Sequence, residues 1–270
     1  MSGVIDLHSH LIPGVDDGAR DVEESLAAIA VMVRDGVTRI VTTPHFDGSL
    51  TLDRARLAAR LGELDRGWTR LQAEAARAFP RLELQRGVEL MLDVPEPDLS
   101  DARLRLNGSR AVLVEFVGLL LPPNAELAIR ALRRANFLPV LAHPERYRNH
   151  DDAYTVLARC RGAGAVLQLN IGTLLGKFGT TATTHAARLL ALGWGDIVSS
   201  DYHARGMPGI GEAITGLHQG GYATQAELLS VTNPARVLMG QAPLPVPPIV
   251  PGKKALAWWK RPFIEELPPE

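Results

Sequence analysis

Short apolar runs alternate with segments of helical period along most of the chain, and that alternation leaves few folds open. Val4, Ile5 and Leu7 form the first run, and Val22, Leu26, Ile29 and Val33 then recur at helical spacing. Arg39–Thr42 is the next run. Leu57, Leu61, Leu64, Trp68 and Leu71 follow as one apolar seam, which marks a long helix. Further runs fall at Leu82–Leu90, Ala111–Phe116, Leu138–Ala142, Ala165–Asn170 and Asp196–Ser200. Helical segments lie at Asn124–Ala135, Asp151–Arg161, Thr180–Leu192, Glu212–Leu217 and Gln225–Leu238. Strands alternating with helices make βα units and a parallel sheet. About seven strands are enough to close a barrel. The expected fold is α/β, a single distorted (β/α) barrel of about seven mostly parallel strands over residues 1–240. Asp21 with Glu24 resembles a capping box for the first helix, and Gly36 is placed to end it.

A chain of 270 residues with 46% hydrophobic content can bury a sizeable core. Its net charge of −1 argues against a polyanion-binding protein, and no nucleic-acid-binding motif is present. Cys160 is the only cysteine, which excludes an internal disulfide and suits a reducing compartment. No basic region or long apolar region opens the chain, and the apolar run Ala111–Leu121 is interrupted by Glu115 and too short to span a bilayer. These features imply a cytoplasmic protein without membrane insertion. From Pro243 the composition changes to L-P-V-P-P-I-V-P, and residues 241–270 form a Pro/Trp-rich tail. Its prolines bar regular core structure, so it either packs extended across the body or is disordered. Contact of Trp258, Trp259, Lys260 and Arg261 with a partner or a membrane interface is the less favoured reading.

The ionisable residues fall in a pattern. His8 and His10 share one face of an extended backbone, and the loop after them carries Asp16 and Asp17 between Gly14 and Gly18. His45, Glu89, Glu115, His143, and Asp201 with His203 also lie at or just beyond the C-terminal ends of expected strands. In a parallel barrel those ends share one face, which holds the active site. Glu115 in V-L-V-E-F-V would be costly to bury without a partner, so a cation is its natural one. Imidazoles and carboxylates without cysteine exceed what one tetrahedral zinc needs, and they fit two or three divalent ions with bridging carboxylates. Such a cluster activates water and neutralises an anionic substrate, which makes phosphoester hydrolysis the natural reaction class. Arg146 is either a phosphate clamp or the partner of Glu145 or another neighbour in a salt bridge. His150, His185 and His218 read as surface residues, Cys160 as core, and Arg54, Arg56, Arg60, Arg66 and Arg70 as a solvated face.

Taken in order, D-L-H-S-H, T-T-P-H, G-V-E-L, V-L-V-E-F, A-H-P-E-R-Y, L-Q-L-N and S-S-D-Y-H resemble the PHP (polymerase and histidinol phosphatase) superfamily. I-P-G-V-D-D-G and H-P-E-R-Y point to its bacterial branch of manganese-dependent protein-tyrosine phosphatases from capsule and exopolysaccharide loci. The resemblance runs from about Ile5 to Leu238. It implies three divalent ions, usually Mn²⁺ with Fe or Zn as possibilities. His8, His10, Glu89 and Asp201 would hold one ion, and Glu89, Glu115 and His143 a second with Glu89 bridging. His45, His203 and either Asp16 or Asp17 would hold the third. Arg146 matches the family's phosphate-contacting arginine, and Arg205 stands near the place of a second, where the register puts Pro208 instead.

The implied reaction is hydrolysis of phosphotyrosine in a protein by a metal-bridged hydroxide, with Asp201, His203 and the two arginines at the reacting centre. The implied partner is a bacterial tyrosine kinase that controls polysaccharide export, and an oligomer is possible. Thiol-based phosphatase chemistry is excluded, because it needs Cys-x5-Arg and counting from Cys160 lands on Val166. Two alternatives stay open: a phosphoesterase for a small metabolite such as histidinol phosphate, and a non-catalytic metal-binding interaction module.

Overall fold

The structure, a computed structural model, describes residues 3–250. Among the described residues, nine strand segments are all paired in parallel, as β1 (Val4–Asp6), β2 (Val37–Thr42), β3 (His45–Asp47), β4 (Glu83–Arg86), β5 (Glu89–Met91), β6 (Ala111–Glu115), β7 (Leu138–Ala142), β8 (Val166–Asn170) and β9 (Ile197–Ser199). They form a three-stranded sheet ordered β1-β2-β4 and a six-stranded sheet ordered β3-β5-β6-β7-β8-β9.

The two sheets are one wall broken by kinks. β2 runs on into β3 across Thr43-Pro44, and β4 into β5 across Gly87-Val88. The ladder continues over the break, with the Gly87 amide donating to the Thr42 carbonyl and that of Glu89 to the Pro44 carbonyl. Two sequence expectations change here: Leu82–Leu90 is two segments rather than one strand, and His45 opens a strand of its own rather than lying at or just beyond the end of the preceding one. The ring closes between β9 and β1. The Leu7 amide donates to Ser199 Oγ and that of Asp201 to the His8 carbonyl, with a further parallel bridge between Ser9 and Tyr202.

Period-two alternation sorts the strand residues into two layers. Ile5, Leu7, Val41, Leu113, Val140, Ala142, Val166 and Ile197 pack with one another inside the ring, where Val237 and Leu238 also lie. The alternate residues, among them Val112, Val114, Leu141, Leu167 and Val198, pack outward. They meet the helices α1 (Val22–Arg34), α2 (Arg54–Ala78), α3 (Ala125–Arg134), α4 (Thr155–Gly162), α5 (Ile171–Leu174), α6 (Gly179–Ala191) and α7 (Ile210–Gln219). By the same alternation Glu115, Gln168 and Asn170 share the inward face at the C-terminal end. Asp21 caps α1 through its side chain to the Glu24 amide, as its spacing implies.

The expected Gln225–Leu238 helix is interrupted. α8 (Ala223–Glu227) passes through a π-helical turn at Leu228–Thr232 into α9 (Asn233–Leu238), whose second residue is Pro234. Proline lacks the amide donor that an uninterrupted helix needs there. Residues 241–250 run extended along the body: Val246 and Ile249 are buried, and the Ile249 amide donates to the Leu190 carbonyl. The tryptophans and basic residues of the tail lie outside the described residues. No helix among the described residues is long and apolar enough to cross a membrane.

Two surface assignments are corrected. Arg60 is half-buried and donates to the Val15 and His45 carbonyls, tying α2 to the two loops that carry site residues, whereas Arg54, Arg56, Arg66 and Arg70 are exposed. His150 and His185 are half-buried. Their rings lie 4.9 Å apart, His150 contacts the Pro144 carbonyl through Nε2, and the Tyr154 hydroxyl lies 2.6 Å from His185 Nδ1. Burial, then His150 and Arg188, push the His185 pKa down to about 4. Because that value lies below the unfolded one, the unfolded chain binds more protons across the window between them. Stability therefore falls as pH drops from about 6.5 toward 4. Melting curves are expected to show His185→Gln losing less Tm than the parent over that range, and equal losses would exclude the effect.

Candidate metal centre

Strand ends bring the site together. Parallel register sets His45 directly beside Glu89, and Glu115 beside Met91 two residues further along the same strand. His143 and Asp201 each follow a strand and take left-handed backbone, with φ of 33° and 48°. Non-glycine residues in that region are strained and gather at functional sites, where surrounding structure fixes them. Gly18 is needed where it stands: a Cβ there would lie 2.2 Å from the His10 carbonyl oxygen, so the Asp16-Asp17 loop could not fold back onto the histidines.

The side chains converge into three groups whose donor atoms lie within 4.8 Å of one another: His8, His10, Glu89 and Asp201; His45, Glu89 and Glu115; and His10, Asp17, His45 and His203. In the first group, all four residues are buried. His8 Nε2 stands 3.2 Å from Asp201 Oδ1 and 3.3 Å from Glu89 Oε2, and His10 Nε2 stands 3.5 Å from both. His143 Nε2 meets Glu89 Oε1 at 2.9 Å and Glu115 Oε2 at 3.9 Å. His203 Nε2 and His45 Nε2 face Asp17 Oδ1 at 3.3 and 3.5 Å.

This donor set fits divalent cations. Glu89 Oε2 and Asp201 Oδ1 are buried oxygens without a hydrogen-bond partner, and both point into the first group. Buried polar atoms are nearly always satisfied, so such a pair calls for a positive centre between them. The outer ring nitrogens are engaged from behind: His8 Nδ1 donates to Gln168 Oε1 at 2.9 Å and His10 Nδ1 to Asp16 Oδ2 at 2.7 Å. A proton fixed on Nδ1 leaves the Nε2 lone pair for a cation, the usual arrangement around ligating histidines.

The electrostatics agree. Burial alone would lower the His8 and His10 pKa values, but Glu89, Asp201 and, for His10, Asp16 outweigh it and hold both above the usual imidazole range. Burial likewise opposes ionisation of Glu89 and Asp201, yet the surrounding imidazoles keep both carboxylates well below their usual range. Asp16, despite its burial, is lowered to about 2 by the His10 contact.

The geometry separates the two aspartates that the sequence left open. Asp16 lies behind His10 and also accepts from the Gly18 and His45 amides, whereas Asp17 reaches the His45 and His203 rings. Arg146 donates to Asp201 Oδ2 at 2.6 Å rather than to Glu145, and its guanidinium lies 4.4 Å over the Phe178 ring. Arg205 donates to the Asp17 carbonyl at 2.9 Å. Both arginines border a cavity of about 260 Å³ beside Asp201 and His203. His218 stays exposed and apart from the site. Cys160 is fully buried, and burial pushes its thiol up to about 12, which leaves it inert.

Sequence reasoning missed Gln168 and Asn170 as parts of the site, although both stand in the L-Q-L-N run where a polar residue on an inward face is conspicuous. Asn170 Nδ2 donates to Asp201 Oδ2, so that oxygen is held by Asn170 and Arg146 while Oδ1 faces the histidines. Asp6 was also missed. It accepts from the Ser200 amide and hydroxyl and locks β1 to the segment carrying Asp201. Asp16→Asn is expected to lower metal affinity roughly 10–100-fold by loosening His10. Isothermal titration with Mn²⁺ measures this, and an unchanged affinity would contradict the orienting role.

Comparison with known proteins gives the family. The family model described as capsular polysaccharide synthesis, CpsB/CapC, matches residues 4–239. The tyrosine-protein phosphatase YwqE of Bacillus subtilis (strain 168) is 30% identical over 203 residues, covering 74% of this chain and 77% of the relative. The tyrosine-protein phosphatase CpsB of Streptococcus agalactiae serotype III (strain NEM316) is 27% identical over 174 residues, covering 64% and 69%. A chain from the crystal structures of YwqE from Bacillus subtilis and CpsB from Streptococcus pneumoniae, described as unique metal-dependent tyrosine phosphatases, superposes with a TM-score of 0.72. It is 27% identical and covers 92% of this chain and 99% of that one. An organophosphorus hydrolase from Deinococcus radiodurans shares the fold alone, with a TM-score of 0.52 at 14% identity over 88% of this chain and 93% of that chain. With a family model spanning nearly all of the described barrel, the chain belongs to the CpsB/CapC family of capsular polysaccharide synthesis.

Proposed function

We propose that this protein is a metal-dependent phosphotyrosine-protein phosphatase. The observation that carries the reading is the pair of buried, unpartnered carboxylate oxygens on Glu89 and Asp201, which face the imidazoles of His8 and His10, whose outer nitrogens are already engaged. His8, His10, Glu89 and Asp201 would hold one ion, and Glu89 and Glu115 with His143 a second, which His45 also borders. Asp17, His45 and His203 would hold a third. Nitrogen and oxygen donors without sulfur suit Mn²⁺, and also Fe or Zn.

When bound, such ions lower the pKa of water and offset phosphoryl charge. The chain's own groups do the rest. Arg146, held by Asp201 and the Phe178 ring, presents its remaining N–H groups to the cavity, where they match phosphoryl oxygens. Asp201 holds Arg146 through Oδ2 and would hold an ion through Oδ1, and His203 lines the same cavity. A tyrosine leaving group, with a pKa near ~10, departs with little assistance. The family's link to capsule synthesis supports a bacterial tyrosine kinase of polysaccharide export as the phosphoprotein substrate, met in the cytoplasm.

The test is a substrate panel on the full chain. Hydrolysis of p-nitrophenyl phosphate and phosphotyrosine peptides is expected to require a divalent metal and to survive iodoacetamide, with histidinol phosphate turned over far more slowly. Loss of activity on alkylation of the metal-loaded protein, or a preference for histidinol phosphate, would overturn the proposal.

A further inference from the structure

The cavity beside Asp201 is bordered by three cationic side chains, and they are not equivalent. Arg146 is tied to Asp201, and Arg205 reaches the Asp17 carbonyl and carboxylate. Lys177 has no carboxylate within ion-pair distance among the described residues. Its ammonium donates to the Met207 carbonyl at 2.6 Å, a neutral acceptor that parks it at the rim. Phe178, next in sequence, leaves 44% of its surface exposed while its face supports the Arg146 guanidinium.

This wall is built rather than incidental. Phe178 sits against α5 where only glycine leaves room, since a Cβ on Gly172 would lie 2.7 Å from the ring. The turn that carries Lys177 and Phe178 is pinned by the Lys177 amide to the Gly172 carbonyl, and the Lys177 side chain joins it to the 206–209 loop across the cavity. A half-exposed aromatic face beside a phosphate-matching arginine suits an aryl group. An ammonium with only a neutral partner suits an added negative charge just outside.

We infer that Lys177 and Phe178 form a subsite that selects phosphotyrosine flanked by an acidic residue. Phe178 walls the tyrosyl ring, and Lys177 pairs with the neighbouring carboxylate. The inference rests on the phosphatase reading above and goes on to name the sequence context of its substrate.

The experiment uses the full chain loaded with Mn²⁺ and phosphotyrosine peptides of equal length flanked by Glu, Gln or Lys. In the parent protein kcat/KM is expected to rank Glu over Gln over Lys. About tenfold should separate the extremes, carried in KM, the size expected when one exposed attraction becomes a repulsion. Lys177→Glu is expected to invert the ranking. Fluorescence anisotropy with non-hydrolysable phosphonate versions of the same peptides is expected to give, in each protein, an order of affinity that matches its kcat/KM ranking, Glu over Gln over Lys in the parent and the reverse in Lys177→Glu. A flat ranking in the parent, or an unchanged ranking in Lys177→Glu, overturns the subsite. If p-nitrophenyl phosphate is still hydrolysed in that case, the phosphatase reading stands without it. If the parent hydrolyses neither that compound nor any peptide, both fall together.

Discussion

Glu89→Gln is expected to cut kcat/KM by about three orders of magnitude while the barrel stays folded. Glu89 opens β5 with its side chain fully buried, and four imidazoles surround it. Oε1 meets His143 at 2.9 Å, and Oε2 faces His45 at 3.0 Å, His8 at 3.3 Å and His10 at 3.5 Å. Among the described residues it is the carboxylate common to the group with Asp201 and the group with Glu115, so it is the carboxylate placed to bridge two cations. Glutamine keeps the shape but carries no charge, and its amide nitrogen cannot act as a ligand oxygen. Elemental analysis should show fewer ions per chain, and circular dichroism an unchanged fold. Full metal content with activity within a few-fold of the parent would falsify the bridging role.

The architecture was legible in the sequence because parallel βα units write two periods into it. Leu113, Val140 and Val166 alternate with outward residues, while Leu61, Leu64 and Leu71 repeat at helical spacing. The residues that the structure brings together in the candidate site were legible for a related reason: a charge or an imidazole that ends an apolar run marks the rim of a barrel. What stayed hidden depends on contacts distant in sequence. The kinks at Thr43-Pro44 and Gly87-Val88 split two strands, yet each half of the ladder is stabilised only by its neighbour strand. Asp16 and Asp17 are adjacent and chemically alike, and only the fold of the loop turns one toward His10 Nδ1 and the other toward His203. Arg60, His150 and His185 looked like solvated residues because helical periodicity says nothing about which loops fold over a helix end. Lys177 and Phe178 gave no periodic signal at all, since they lie in a turn whose position is set by packing against Gly172.

Stripping the protein of divalent ions is expected to abolish hydrolysis and to lower Tm by roughly 5–10 °C relative to protein saturated at ~100 times Kd. One site at that occupancy contributes about 2.7 kcal/mol, and each kcal/mol shifts a chain of this size by roughly 2–4 °C. The difference should also depend on pH. In the metal-free chain, protons take the place of cations. Burial opposes charging His45, but Glu115 and Glu89 raise its pKa to about 10, and Glu89 with Asp201 raises that of His8 against the same burial. A folded pKa above the unfolded one gives stability that is complete below about 6.5 and is lost as pH rises toward the folded value. Metal binding has the opposite dependence, because the rings must be deprotonated to serve as ligands. The Tm gap between loaded and stripped protein is therefore expected to widen from about pH 6 to about pH 9, and metal loading near neutrality should release protons into a weakly buffered solution. A gap that narrows with rising pH, or loading without proton release, would mean that these imidazoles are not the groups the cations bind.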